Sequence, residues 1–263
     1  MPTLTWRAAL FKCWPEYLIE SWALGMFMMS ASLFTVWFER PGSTLMNSIM
    51  DGGVRRGLIG LAMGLTAILL IYSPWGKRSG AHMNPAVTLA FLSLGRIDRW
   101  NAVFYVLAQF LGATLGILAA WGLYGQAFAS PPVAFIATLP GRSGVGTAFV
   151  AEAAMSMALM FTVLLVSRHE RWSRYTGVVA GMLVATFITF EAPLSGMSMN
   201  PARTLASALP SGLWHAAWIY FTAPVLGMWT AARLYNLSDP KPECARLCTH
   251  SLRFPCIHCG YAP

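Results

Sequence analysis

Two asparagines stand where chemistry can be done, each followed by Pro-Ala. Asn84-Pro85-Ala86 and Asn200-Pro201-Ala202 lie in matching twelve-residue frames, residues 79–90 and 195–206, in which nine positions are identical. A lone Asn-Pro is an ordinary turn signal, but two copies in matched frames, one in each half of the chain, mark an internal repeat. Asn is a preferred helix N-cap, and Pro loses nothing in a first turn, where its N–H would be unpaired anyway. Each frame therefore reads as the start of a short apolar helix, over about residues 86–92 and 202–209. Ten residues give roughly 15 Å, half the thickness of a hydrocarbon core. Two such half-helices meeting N-terminus to N-terminus bring two positive dipole ends and two amide donors to one point. That arrangement repels cations and protons and offers hydrogen bonds to small neutral hydroxyl compounds. Arg203 follows the second motif directly and adds a full charge where the first copy has Val87. A charge at membrane depth is functional by default, the alternative being a side chain that snorkels to an interface.

Half-helices need a membrane around them, and the composition supplies one. The chain is 56% hydrophobic and 11% charged, with mean hydropathy +0.55, too apolar for an ordinary soluble domain. Stretches near 16–38, 54–73, 100–122, 145–167, 174–192 and 214–236 are long enough to span. The first is not a removable signal peptide, because Glu16 and Glu20 interrupt it. Six spans put both termini on one side. Arg7, Lys12, Lys77, Arg78, Arg96, Arg99, Arg168, Arg171, Arg174, Arg233, Lys241, Arg246 and Arg253 share that side, 13 of the 18 basic residues. The positive-inside rule makes it cytoplasmic. The charge of +8 is thereby explained by topology, and basic residues scattered over short loops argue against nucleic-acid binding.

Three spans and one motif per half (about 16–123 and 145–236) give an inverted repeat, with the motifs entering from opposite sides. Residues 124–144 read as the extramembrane link between halves. The fold class is thus an all-α membrane protein of six transmembrane helices plus two re-entrant half-helices, with a channel domain over 1–237 and a cytoplasmic tail over 238–263. Glu20 and Glu152, one per half, are either proton relays or acceptors for the partnerless N–H groups of the re-entrant loops. Their pairing by repeat favours the structural role. Glu191 reads as a loop-fixing or vestibule residue. His82 is either a pH-sensing group or a hydrogen-bonded lining residue. In the tail, Cys244, Cys248, Cys256 and Cys259, with His250 and His258, offer tetrahedral ligands. The spacing is loose for common zinc modules, so metal binding, thiol redox chemistry or lipidation, and an inert tail all stand. No cofactor is expected.

The paired motifs, their Ser-Gly lead-ins and the Asn200-Pro201-Ala202-Arg203 run resemble the aquaporin/aquaglyceroporin family. Glu20 and Glu152, the run 105–113 and the segment 215–235 agree with it. The resemblance implies a homotetramer with one pore per protomer, lying in lipid and passively conducting water and small neutral solutes such as glycerol while excluding ions and protons. It also implies a bacterial member, multi-pass in the plasma (inner) membrane. By motif alignment the resemblance makes Met63, Ile188, Met197 and Arg203 the selectivity filter. An extra residue near Ser73-Pro74-Trp75 leaves Gly64 as the alternative to Met63. Water-selective members usually carry His where Ile188 stands, which opens the filter to solutes. The other functional class is a coupled secondary transporter, which also uses inverted repeats and broken helices. No pair of ionisable residues sits near the midplane to couple an ion, and no nucleophile–base constellation marks an enzyme, so a channel is expected.

Overall fold

The apolar stretches become long helices, and the two Asn-Pro-Ala frames become short ones. The computed structural model of the protein describes residues 4–169, 171–237, 244–251 and 253–263; Lys241 lies outside the described residues. The principal elements are α1 (Trp6–Glu39), α2 (Gly52–Tyr72), α3 (Pro85–Ser93), α4 (Arg99–Tyr124), α5 (Gly144–Ser167), α6 (Thr176–Phe190), α7 (Pro201–Ser211) and α8 (Trp218–Leu237), and no strand occurs among the described residues. Five segments, α1, α2, α4, α5 and the one running through α6, are long and apolar enough to cross a membrane. Helix α8 has 20 residues, a sufficient length, but its Trp, Tyr and Arg233 dilute its hydropathy. The protein is an integral, multi-pass membrane protein.

Two helix starts differ from the sequence expectation. Helix α1 begins ten residues early because Thr5 caps it, accepting from the Ala8 N–H at 3.3 Å. The added turns carry Arg7, Lys12 and the exposed Trp6, Phe11 and Trp14, residue types suited to a membrane interface. Helix α8 begins later than residue 214 because the chain first turns through Ala216 at φ +52°.

Packing follows the repeat. Helix α1 lies along α4, α5 along α8, and α2 along α6, the last pair joining the two halves. Half-helix α3 packs on α8 and half-helix α7 on α4, so each half lends its short helix to the other. Small residues allow the close approach: a Cβ on Gly25 would sit 2.9 Å from the Gly112 carbonyl, and one on Gly64 would sit 2.5 Å from that of Gly181.

Candidate functional site

The re-entrant loops leading into α3 and α7 have no helical partners for their N–H groups, and two carboxylates supply the acceptors. Glu20 on α1 takes the Ser79 hydroxyl (2.7 Å) and the His82 N–H (3.0 Å) on one oxygen. Its other oxygen takes the Met83 N–H (2.7 Å) and the Gln109 amide (2.9 Å). Glu152 on α5 repeats the pattern with Ser195 (2.7 Å), Ser198 N–H (2.7 Å) and Met199 N–H (2.6 Å). Both residues are fully buried. A carboxylate saturated by fixed donors is a poor proton relay, so the geometry supports the structural role. One tyrosine completes each loop: Tyr105 donates to the Ser79 carbonyl at 2.7 Å and Tyr220 to that of Ser195 at 2.6 Å. The sequence placed these tyrosines and Gln109 only within runs that resemble the family and gave them no role. The tyrosines carried a signal, since they stand 115 residues apart, within one of the motif repeat.

Each motif then caps its own helix and reaches across to the other. Asn84 Oδ1 accepts from the Ala86 N–H at 2.8 Å, and Asn200 Oδ1 from Ala202 and Arg203 at 3.0 and 3.3 Å. Asn84 Nδ2 donates to the Met199 carbonyl (2.7 Å) and Asn200 Nδ2 to that of Met83 (2.8 Å). Only one of the two amide protons of each asparagine is thus left for the lumen. Gly80, Ala81 and Met83 adopt positive φ, and so do Gly196, Met197 and Met199. For the four non-glycine residues this is a strained backbone, costing of order 1–3 kcal/mol each and typical of functional loops. Asn84→Ala and Asn200→Ala are each expected to lose a cap worth about 0.5–2 kcal/mol together with the bridge between loops. Thermal unfolding and stopped-flow water permeability should both fall, by similar amounts for the two variants. Wild-type values of both in either variant would disprove that residue's double role.

A cavity of ≈ 510 Å³ runs past these loops, lined by Met63, Asn84, Ile188, Met197, Asn200 and Arg203 among others. Between the alternatives for α2, Met63 lines the cavity, while Gly64 is turned against Gly181 of α6. The Arg203 guanidinium is held by the Ile136 carbonyl, its Nη1 donating at 3.1 Å. Ile136 was not anticipated. Residues 124–144, expected as an extramembrane link, fold inward and line the cavity with Pro132, Val133, Ile136 and Ala137. Ala134, Phe135 and Ile136 all have positive φ, and Phe135 is wedged edge-on against Trp121 and Phe128, each 5.2 Å away. Aromatic anchoring at a sharp turn has little periodic signature, which is why the sequence hid it. Arg56 also lines the cavity, with its Nε bonded to the Thr189 carbonyl at 2.8 Å. Glu191 caps the C-terminus of α6 beside this end.

At the other end the tail packs against the first motif loop. His82, buried, has Nδ1 3.1 Å from Thr88 Oγ1 and Nε2 3.0 Å from the Ala245 carbonyl. Of the tail candidates, Cys244, Cys256 and Cys259 converge, joined by His250. Cys248 does not join them; its thiol points to the Gly76 carbonyl, 3.8 Å away. The first pair of cysteines is split because the chain between them turns inward to dock.

A family model described as Major intrinsic protein matches residues 7–235. Aquaporin NIP1-2 of Arabidopsis thaliana is 34% identical over 204 residues, covering 76% of this chain and 69% of its own. Aquaporin NIP1-1 of Zea mays is 35% identical over 205 residues, covering 78% and 71%. Among solved structures, the aquaglyceroporin from Plasmodium falciparum matches with TM-score 0.72 at 24% identity, covering 84% of this chain and 94% of that one, a likeness of fold. These relatives are plant and protozoan proteins and lend nothing to the expectation of a bacterial source.

Proposed function

We infer function from the premise that this chain belongs to the major intrinsic protein family: it is a passive membrane channel for water and small neutral solutes, and not an enzyme. The observation that carries this reading is the continuous cavity that passes Asn84, Asn200 and Arg203. Against a coupled transporter stands the use of Glu20 and Glu152 as loop anchors.

The selectivity filter is Met63, Ile188, Met197 and Arg203. Arg203 pairs with a solute's hydroxyls while its carbon backbone slides past three apolar side chains, a combination suited to glycerol-sized molecules. Reconstituted protein should pass water under osmotic shock and take up glycerol faster than empty liposomes do. Glycerol uptake at the rate of empty liposomes would leave a water pore. Ile188→His is expected to lower the ratio of glycerol to water flux severalfold, since a polar ring replaces the apolar wall; an unchanged ratio would remove Ile188 from the filter.

The channel domain occupies 1–237 and the tail 238–263. Both termini face the cytoplasm across a plasma membrane, a reading supported by the 13 basic residues assigned to that side. The working form is a homotetramer with one pore per protomer; Leu58, Leu61, Leu65 and Leu69 on α2 leave an exposed apolar face for lipid or a neighbouring copy.

A further inference from the structure

Three Sγ atoms, from Cys244, Cys256 and Cys259, and one imidazole nitrogen of His250 all lie within 4.8 Å of one another. The quartet lies beyond residue 235, where the family match ends. Cys244 Sγ is 3.3 Å from Cys256 Sγ, and His250 Nε2 is 3.0 Å from Cys259 Sγ. The sulfurs are too far apart for a disulfide, whose bond is about 2.05 Å, and all five cysteines are free. A tetrahedral ion with bonds of about 2.3 Å to sulfur and 2.0 Å to nitrogen would hold its ligands roughly 3.5–3.8 Å apart. Three soft thiolates and an imidazole form a closed donor set that selects zinc over magnesium or calcium. A segment this short has too little apolar core to fold by itself, and a structural metal is a usual staple.

The residues between the ligands are the ones that dock. Directly after Cys244, the Ala245 carbonyl meets His82, Arg246 donates to the Lys77 carbonyl, and the Leu247 N–H donates to the Gly80 carbonyl at 3.0 Å. Between Cys256 and Cys259, His258 stacks on His82 with ring centres 5.5 Å apart and meets the Ser79 carbonyl at 3.0 Å. Leu247, nearly buried, is itself part of the cavity wall. The donor set and the docking surface are therefore interleaved, and fixing one fixes the other.

We propose that Cys244, His250, Cys256 and Cys259 bind one zinc ion, and that the tail so stapled is a plug across the mouth of the channel on the side of the termini. Zinc loading then lowers permeability, and its removal frees the tail from the first motif loop. The second half of the proposal rests on the channel reading above; the first does not.

The full chain, equilibrated with zinc and desalted under reducing conditions, should carry about one zinc per protomer by elemental analysis. Cys256→Ser combined with Cys259→Ser should lose it. In proteoliposomes, a membrane-permeant chelator should raise water permeability by roughly threefold or more, as expected when an apolar constriction opens, and added zinc should reverse the rise. Leu247→Ser should keep the zinc while bringing the loaded protein to the stripped permeability. Failure of the wild-type chain to retain zinc, or a Cys244–Cys256 disulfide in the reduced preparation, would overturn the metal site. Retained zinc with equal permeability in the loaded and stripped states would overturn the plug. Osmotic permeability no greater than that of empty liposomes in every state would instead count against the channel reading.

Discussion

Glu152→Ala is expected to unfold at markedly lower temperature in detergent and to elute largely as aggregate. That result is expected because one side chain holds the Ser195 hydroxyl and the Ser198 and Met199 N–H groups, at 2.6–2.7 Å. Each buried donor left without a partner costs about 1–3 kcal/mol, so three cost roughly 3 kcal/mol at the least. A typical folded protein has only about 5–15 kcal/mol in hand. Channel water reaches the loop from one face and recovers a part of the loss, but Met199 must still hold φ +50°, with the Asn84 bond to its carbonyl left as its own remaining tie. Glu152→Gln should be milder, because one amide oxygen keeps the shape and can still accept. Glu20→Ala should fall in between, since the first loop has further support: the Leu247 N–H bonds to Gly80 and His258 meets Ser79. The measurement is a melting curve for each variant beside the monodisperse fraction on gel filtration. Near-wild-type melting of Glu152→Ala would mean that the loop is held by the Tyr220 bond and the half-helix packing instead, and would reopen the proton-relay reading.

The repeat explains which parts were readable from sequence. Asn84 and Asn200, Glu20 and Glu152, and the half-helices α3 and α7 were legible because each occurs twice, in frames whose periodicity and capping have direct local causes. Helix ends were less so, because a cap such as Thr5 acts through a single hydrogen bond and leaves no periodic trace. Ile136 was invisible for a different reason: what reaches Arg203 is its backbone carbonyl, aimed by three consecutive positive-φ residues, and side-chain identity says little about that. The tail shows a third limit. The sequence offered four cysteines with His250 and His258, and only the docked path of the chain gathers Cys244, His250, Cys256 and Cys259 while turning Cys248 toward the Gly76 carbonyl. Conversely, the choice between Met63 and Gly64 turned on a single inserted residue, to which the sequence is blind, whereas the fold packs Gly64 on Gly181 and leaves Met63 on the cavity wall.

Arg203→Val is expected to open the channel to protons and small cations while leaving it folded. The substitution keeps the Arg203 N–H that Asn200 Oδ1 accepts at 3.3 Å, so the start of α7 is preserved, and it frees the Ile136 carbonyl to face the lumen. Removing the guanidinium deletes a unit positive charge beside the path. At an effective dielectric constant near 20, a like charge about 6 Å away is opposed by roughly 3 kcal/mol, or about a hundredfold in rate. Two half-helix N-termini remain, and each acts as about half a charge, so part of the barrier persists; a rise of roughly 10- to 100-fold in proton or cation leak is the expected size. The freed carbonyl works in the same direction, because it turns from partner of a cation into a ligand for one. Glycerol uptake should change the opposite way per unit of water flux, since the group that pairs with solute hydroxyls is gone. Arg203→Lys separates the two effects: it restores charge without the forked donor geometry, and should recover ion exclusion more fully than solute uptake. The readouts are proton leak followed with an entrapped pH dye, and water and glycerol flux on the same vesicles. An Arg203→Val channel as proton-tight as the wild type would assign the barrier to the opposed half-helices alone and leave Arg203 as a solute-positioning group.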